Sequence, residues 1–187
     1  MEDFGLEYQK TLLTPLQPLR DNLNSEIYNV FEHDTVKYVA YAAAFRSALK
    51  LAFDKKCSQQ KKDTHIIIEN NNRDCKNELE NNSNQIVVIV LGPGRGPLVA
   101  KVVEESNLLD IPIDLYVVEK NKYVIPTLER RNETEWNSIA KIFCADCRTW
   151  PASFKADIIV SEMLGSFSDN ELAPEILEAA ERLLKSI

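Results

Sequence analysis

The sequence predicts an α/β fold with a doubly wound parallel sheet in residues 86–187. From Ile86 onward, short continuous apolar runs alternate with stretches that have helical spacing. Continuous apolar runs are typical of parallel strands that are buried on both faces. In this class of fold the strands end at a common edge of the sheet, and ligands bind there.

The elements of this part are predicted to alternate along the chain. The predicted strands are Ile86–Leu91, Ile113–Val118, Lys141–Ala145 and Asp157–Ser161, and the predicted helices are Pro97–Ser106, Tyr123–Asn132 and Pro174–Lys185. Pro97 suits the first turn of its helix, where a backbone N–H has no partner within the helix.

Two further helices are predicted before the sheet, at Asp21–Phe31 and Thr35–Phe53. Pro15 and Pro18 favour an extended chain ahead of them. The second helix carries recurring apolar residues, which are Val36, Val39, Tyr41, Ala43, Phe45, Leu49 and Phe53. This spacing indicates a helix.

An asparagine-rich segment separates the helices from the sheet. Residues 69–85 contain seven asparagines and hardly any apolar side chain. Such a composition cannot bury enough surface to offset the entropy of ordering, which favours a disordered insertion. The predicted organisation is therefore an N-terminal helical segment (1–56), an insertion (57–85) and a sheet domain (86–187).

Composition limits the classes of function. With 187 residues the chain suffices for one domain with a core. A net charge of −7 and a pI near 5.0 argue against a non-specific nucleic-acid binder and favour basic partners such as arginine-rich protein tails. No apolar run is long enough for a membrane span, and the start lacks the basic region of a signal peptide. We therefore expect a cytoplasmic or nuclear protein without membrane contact.

Neither a metal nor a disulfide framework is expected. The four cysteines occur in a chain that is neither small nor evidently secreted. Cys144 and Cys147 form a CxxC spacing, but a single pair is weak support for zinc or redox chemistry. The two histidines do not have the spacing of a metalloprotease helix.

Polar residues follow three of the predicted strands and indicate a cofactor site. Gly92–Gly96 forms a GxGxG turn, which lacks the later glycine of the dinucleotide pattern GxGxxG. Glu119 ends the second strand, where an acid can accept hydrogen bonds from two ribose hydroxyls. After the third strand, Asp146 can accept from an adenine amino group while the amide of Cys147 reaches a ring nitrogen. This combination describes S-adenosylmethionine in a class I methyltransferase.

Two glutamates follow the fourth strand, nine positions apart in a loop that contains Gly, Ser and Asn. Glu162 and Glu171 can be solvated surface charges, or they can face one cation together. A guanidinium matches two carboxylates because its forked donors pair with carboxylate oxygens. The second interpretation predicts chemistry on an arginine side chain.

The chain resembles the type II protein arginine methyltransferases, which form symmetric dimethylarginine. The resemblance lies in the stretches Pro15–Leu19, Tyr28–Glu32, Lys37–Tyr38, Leu91–Pro97, Val118–Asn121, Ala156–Glu162 and Leu164–Leu172. They cover nearly the whole chain outside the insertion, and the double-glutamate loop with Leu-Gly-Ser-Phe inside it is the most specific of them. The resemblance implies a Rossmann-like class I methyltransferase sheet with N-terminal helices, and arginine-rich substrates such as histones.

The resemblance also implies roles for individual residues. Those expected to bind S-adenosylmethionine, or S-adenosylhomocysteine as the product, are Tyr28, Lys37, Tyr38, Gly92, Gly94, Glu119, Asp146 and Cys147. Cys147 stands where relatives carry methionine and is expected to act through its main chain. Glu162 and Glu171 would clamp the substrate guanidinium. Phe31, Leu16 and Arg95 would line the substrate pocket, with Phe31 directing symmetric dimethylation.

Members of this family continue into a further strand and a β-barrel. We therefore expect the chain to be an excised cofactor-binding domain, truncated before the barrel, that is inactive alone and able to self-associate. One alternative is a non-catalytic module that binds S-adenosylmethionine as a scaffold or sensor, but it gives Glu162 and Glu171 no role. An NAD-dependent oxidoreductase would explain the sheet and Glu119, but the glycine spacing disagrees with it.

Overall fold

A computed structural model describes residues 20–70, 85–165, 169 and 171–185, with the backbone alone for 61–70. The helices are α1 (Ser25–Glu32), α2 (Thr35–Asn70), α3 (Pro97–Leu109), α4 (Ile125–Thr134) and α5 (Ala173–Glu181). The strands are β1 (Ile86–Leu91), β2 (Ile113–Glu119), β3 (Ala140–Cys144) and β4 (Ile158–Ser161).

The four strands form one parallel sheet in the order β3-β2-β1-β4. This confirms the predicted α/β fold, and each strand lies within one residue of its predicted bounds. Leu91 at the end of β1 pairs with Val118 of β2 and with Ser161 of β4. The glycine turn and the double-glutamate loop therefore begin side by side, at the point where the strand order changes direction, which is where ligands bind in such sheets.

Each face of the sheet supports its own core. Val88 and Val90 of β1 belong to a cluster with residues of α2, α3 and α4, whereas Ile89 and Leu91 belong to a cluster with α5 on the other face. All four side chains are fully buried. Burial on both faces explains why the strand is a continuous apolar run rather than an alternating one.

The long helix α2 packs against the sheet through a narrow stripe. Tyr38, Ala42, Phe45 and Leu49 are buried, and their spacing of four, three and four residues follows one face of a helix. The other apolar positions Val36, Val39 and Ala43 are exposed. They lie on a different face of α2, because 3.6 residues per turn rotate them away from the buried stripe.

Helix α2 continues well past its predicted end at Phe53. It reaches Asn70, whereas the disordered insertion was predicted to begin at residue 57. Lys, Gln and Ser in this stretch have no apolar periodicity, but Lys and Gln are good helix formers and continue a helix that is already nucleated. Residues 71–84 lie outside the described part of the chain. Within that part, no helix is both long and apolar enough to cross a membrane.

Local side-chain contacts set the starts of two helices that differ from prediction. Helix α1 begins at Ser25 rather than Asp21, because the Asn24 side chain accepts a hydrogen bond from the Ile27 amide at 3.0 Å and caps the helix there. Helix α4 begins at Ile125 rather than Tyr123. The Asn121 side chain accepts from the Tyr123 amide at 3.1 Å and holds a turn before the helix.

The ends of two other helices also differ from prediction. Helix α3 extends to Leu109, three residues past its predicted end. Helix α5 ends at Glu181 rather than Lys185, because the chain leaves the helix and Leu184 forms a bridge with Ala156 beside the sheet.

A charged pair joins α2 to α3. The Arg46 guanidinium donates to both oxygens of Glu105, with Nε to Oε2 at 2.5 Å and an Nη to Oε1 at 2.7 Å. Arg46 holds the pKa of the Glu105 carboxyl below its usual value through this hydrogen bond. The two-point contact fixes the relative position of the two helices on this face.

We predict that Leu49→Ala destabilises the protein by about 2–5 kcal/mol, because it removes a fully buried side chain between α2 and the sheet. Urea unfolding followed by circular dichroism measures the change. The matched control is Leu51→Ala on the same helix, where the side chain is 72% exposed. Equal losses for both variants would contradict the proposed packing of α2.

Candidate functional site

A cavity of about 550 Å³ lies at the carboxyl edge of the sheet. The ends of all four strands contribute to its walls, and residues of α1 and the start of α2 close it from the N-terminal side. The topology therefore brings together groups that are far apart in the sequence.

The cavity collects the predicted site residues. Those that line it are Tyr28, Phe31, Lys37, Tyr38, Gly92, Gly94, Arg95, Glu119, Asp146, Cys147, Glu162 and Glu171. Leu16 falls outside the residues that the structure describes, so its predicted place in the substrate pocket stays a prediction.

The glycine turn after β1 has a backbone that other residues rarely adopt. Gly92 and Gly94 have φ angles of +60° and +57°. A Cβ atom on Gly92 would lie 2.7 Å from Cε of Met163, and one on Gly94 would lie 2.7 Å from Cε1 of Tyr28. Both glycines are therefore required, the first for close approach to the loop after β4 and the second for close approach to α1.

Glu119 lies at the end of β2, with only 6% of its surface exposed. Its Oε2 accepts from the Gly94 amide at 2.9 Å, and its Oε1 accepts from the Asn121 amide at 2.6 Å. Burial raises the pKa of the carboxyl, while these amides act in the opposite direction. A carboxylate has about four acceptor positions, so the group can serve a ligand in the cavity as well.

Asn121 is a site residue that the sequence did not single out. Its side-chain amide donates to the carbonyl of Leu23 at 3.1 Å and to the Tyr28 hydroxyl at 3.0 Å. Burial of the Tyr28 phenol raises its pKa to about 12, so it stays protonated. Asn121 thereby connects the end of β2 to α1 and to the segment before it.

Arg95 also connects the glycine turn to α1. Its guanidinium donates to both oxygens of Glu32, at 2.8 and 2.6 Å, and to Oδ1 of Asn29 at 2.7 Å. Arg95 lines the cavity, but its donors are directed at α1. Glu32 is a second residue that sequence reasoning missed, since nothing local marks it as the partner of a residue 63 positions away.

Asp146 and Cys147 follow β3 at the cavity wall. Both oxygens of Asp146 bind the Arg148 guanidinium, and Oδ1 also accepts from the Arg148 amide at 3.0 Å. These contacts lower the pKa of the Asp146 carboxyl. Cys147 is buried, and its carbonyl accepts from Arg182 at 3.1 Å. Asp146 is thus ionised and faces the cavity, with part of its capacity for hydrogen bonds already used.

The two glutamates of the loop after β4 lie in the same cavity, together with Lys37. The Lys37 ammonium is 3.4 Å from Oε2 of Glu162. Burial raises the pKa of Glu171, the charge of Glu162 raises it further, and Lys37 lowers it. The three groups therefore interact electrostatically, and the arrangement can bind a cation between two carboxylates.

Two tyrosines on α2 border this group. The Tyr41 hydroxyl donates to the carbonyl of Ser161, directly before Glu162, at 3.1 Å. Tyr38 is buried, and burial together with the charge of Glu162 raises the pKa of its phenol. Tyr41 is another residue that sequence reasoning did not assign to the site. It attaches α2 to the end of β4.

The cavity is acidic overall. Its lining carboxylates are Asp21, Glu32, Asp34, Glu119, Asp146, Glu162 and Glu171, and its cations are Lys37, Arg95 and Lys120. Such a balance favours cationic ligands. In the described part of the chain, no group of three His, Cys, Asp or Glu side chains could hold a metal ion.

The family model and the related sequences that match this chain belong to one family. A model of the family described as PRMT5 arginine-N-methyltransferase matches residues 1–187. Protein arginine N-methyltransferase 5 of Xenopus laevis is 41% identical over 184 residues, which are 98% of this chain and 25% of that protein. The protein of the same name from Oryza sativa subsp. indica is 38% identical over 185 residues, again 98% and 25%.

The chain thus spans about a quarter of the length of these relatives. Among solved structures, Arabidopsis thaliana protein arginine methyltransferase 10 matches 55% of this chain and 28% of its own, with a TM-score of 0.46 and 21% identity.

Proposed function

This chain belongs to the PRMT5 arginine-N-methyltransferase family, and on that basis we propose that it forms the S-adenosylmethionine-binding part of an enzyme that methylates arginine side chains. The observation that carries the proposal is the position of Glu162 and Glu171, which line the same cavity as the glycine turn and Glu119. A cofactor site and a guanidinium clamp then open into one space. A scaffold that only bound the cofactor would leave the clamp unused.

The residues present fit the proposed cofactor. Gly92 and Gly94 line the cavity, so the backbone of the glycine turn can lie close to a ligand. Glu119 lines the cavity, and its carboxylate can accept from ribose hydroxyls as well as from backbone amides. Asp146 and Cys147 lie on the adjoining wall, where we place the adenine, and Lys37 and Tyr38 lie on the wall contributed by α2.

The bound cofactor supplies an electrophilic methyl group on a sulfonium. The protein holds the two reactants in line and fixes their charges. Glu162 and Glu171 orient the guanidinium and concentrate its positive charge away from the attacking nitrogen, whose lone pair becomes available. A carboxylate of the pair, or water, takes the proton that leaves the nitrogen.

The raised pKa of Glu171 bears on this step. Burial and the neighbouring Glu162 both make its ionised form less favourable. A guanidinium that enters between the two carboxylates relieves their mutual repulsion and favours the ionised form. The attraction between a bound cation and the two carboxylates therefore offsets the repulsion between the carboxylates. A neutral side chain offers no such attraction, so the pair selects arginine over neutral side chains.

We further propose symmetric dimethylation, arginine-rich protein substrates that include histones, and a cytoplasmic or nuclear location. The first point rests on the resemblance, which gives Phe31 the role of directing symmetric dimethylation, and Phe31 lines the same cavity as Glu162 and Glu171. The net charge of −7 supports basic substrates.

Glu119→Ala is predicted to weaken binding of S-adenosylhomocysteine by about 1.5–3 kcal/mol, because two hydroxyl donors lose a charged acceptor. This corresponds to a rise in Kd of roughly 10- to 150-fold, measurable by titration calorimetry. Cys147→Met is the control on the adjoining wall and should be nearly neutral, since its contact is assigned to the main chain. Unchanged affinity in Glu119→Ala would reject the ribose assignment.

Glu171→Gln and Glu162→Gln are each predicted to abolish methyl transfer in the full-length protein while cofactor binding is retained. The amide keeps the shape of the side chain and loses the charge that matches a guanidinium. The measurement is transfer of a labelled methyl group to an arginine peptide, with Glu175→Gln on α5, outside the cavity lining, as the matched control. Near-normal turnover in either variant would reject the assignment of Glu162 and Glu171 to the substrate guanidinium.

Phe31→Met is predicted to shift the product of the full-length protein toward asymmetric dimethylarginine, because a flexible side chain at this wall changes the room around the second nitrogen. Mass spectrometry of the methylated peptide distinguishes the two products. A purely symmetric product from this variant would reject the role of Phe31.

A further inference from the structure

We propose that Lys37 occupies the guanidinium clamp of the free protein as an internal cation, and that a cofactor carboxylate draws it away so that arginine can bind. Lys37 would then be a positioning residue that makes cofactor binding favour peptide binding. This role rests on the proposed function, because it assigns the clamp to arginine and the adjoining space to S-adenosylmethionine.

The first support is the contact itself. The Lys37 ammonium lies 3.4 Å from Oε2 of Glu162, within the range of an ion pair, and both side chains are about three-quarters buried, with 21% and 24% exposed. The ammonium also lies 5.5 Å from the ring centre of Phe31 and 4.9 Å from that of Tyr38. Two aromatic rings and a carboxylate thus hold the cation inside the cavity.

The second support is the charge that Lys37 balances. The charge of Glu162 raises the cost of ionising Glu171, and Lys37 reduces that cost. One lysine therefore compensates two carboxylates in the absence of a substrate. An arginine that entered while Lys37 remained would face a cation of like charge beside the same carboxylate, so the two cations compete for one place.

Arg95 cannot balance the charges of Glu162 and Glu171 in place of Lys37. Its guanidinium is bound by both oxygens of Glu32 and by Asn29. Lys37, by contrast, sits in the first turn of α2, where its amide donates to Oδ1 of Asp34 at 3.0 Å. The backbone of Lys37 is fixed by this cap, and a long flexible side chain leaves its ammonium able to exchange partners.

The cofactor offers the alternative partner. S-adenosylmethionine and S-adenosylhomocysteine carry an amino-acid carboxylate, and Lys37 belongs to the α2 wall that would face it. When the ammonium turns to that carboxylate, Glu162 loses its cation and the clamp becomes able to bind a guanidinium. Because coupling between two ligands is reciprocal, peptide must tighten cofactor binding by the same factor.

The test measures the Kd of an arginine peptide for the full-length protein by fluorescence anisotropy, alone, with saturating S-adenosylhomocysteine and with saturating adenosine. For the wild type we expect S-adenosylhomocysteine to tighten peptide binding about tenfold, within the usual range of coupling. Adenosine lacks the carboxylate and should have little effect. S-adenosylhomocysteine and adenosine therefore separate the effect of the carboxylate from that of the nucleoside.

Two substitutions at Lys37 should act in opposite directions. Lys37→Met removes the internal cation, so peptide binding without cofactor should tighten about tenfold and S-adenosylhomocysteine should add little. Lys37→Arg supplies a forked donor that pairs better with Glu162, so it should weaken peptide binding without cofactor. Lys122→Met is the matched control, since Lys122 is exposed and lies outside the cavity lining. It should behave as the wild type.

Persistence of the full S-adenosylhomocysteine effect in Lys37→Met would overturn the proposal, as would a Lys37→Arg variant that tightens peptide binding. Circular dichroism of both variants confirms that they are folded. A protein that binds no arginine peptide under any condition, while it still binds S-adenosylhomocysteine, would reject the proposed clamp itself. That result is distinct from normal peptide binding without coupling, which rejects Lys37 alone.

Discussion

The need to satisfy one buried carboxylate, that of Glu119, organises the site. A charge that is removed from water is costly unless hydrogen bonds replace its hydration. Glu119 meets this need with the amides of Gly94 and Asn121. The same two bonds fix the glycine turn after β1 and the turn after β2. The Asn121 side chain then reaches Leu23 and Tyr28, so the order imposed by Glu119 extends to the segment that covers the cavity.

Helix α1, which covers the cavity, is held at two points, and the two contacts differ in kind. Asn121 and Tyr28 form neutral hydrogen bonds in a buried place, while Arg95 and Glu32 form a two-point ion pair that is about one-quarter exposed. The glycine turn lies between them, since Gly94 contacts Tyr28 and Arg95 follows it directly. Helix α1 and the turn therefore hold each other in place. A change in the conformation of the glycine turn would therefore shift α1, and a shift of α1 would change the turn.

The sequence carried enough information for the sheet because its strands are short, mostly apolar runs. Ile86–Leu91 is wholly apolar, which favours a buried parallel strand, and the structure agrees. The helices were predicted less well. Helix α2 buries Tyr38 and Ala42 while Val36 is 79% exposed, since packing against a specific neighbour decides which of several apolar residues face the core. Its polar continuation to Asn70 gives no periodic signal.

Residue types at the site were predictable, but their partners were not. Motif spacing and family resemblance placed Glu119, Glu162 and Glu171 in one region, and all three line the cavity. Nothing in the sequence indicated that Glu162 would pair with Lys37, because they are separated by most of the chain and meet only through the packing of α2 beside β4. Ion pairs between distant elements depend on side-chain positions that pattern alone does not fix.

The distribution of partners among the acids of the cavity explains which of them is available to a ligand. Glu32 is bound by Arg95, Asp146 by Arg148, and Glu162 by Lys37. Glu119 is held by backbone amides. In the part of the chain that the structure describes, Glu171 forms no such ion pair, and its pKa is raised by burial and by Glu162. A carboxylate without an ion-pair partner is stabilised more by an incoming cation than one that is already paired. Glu171 is therefore the acid of the cavity that is most available to a substrate guanidinium.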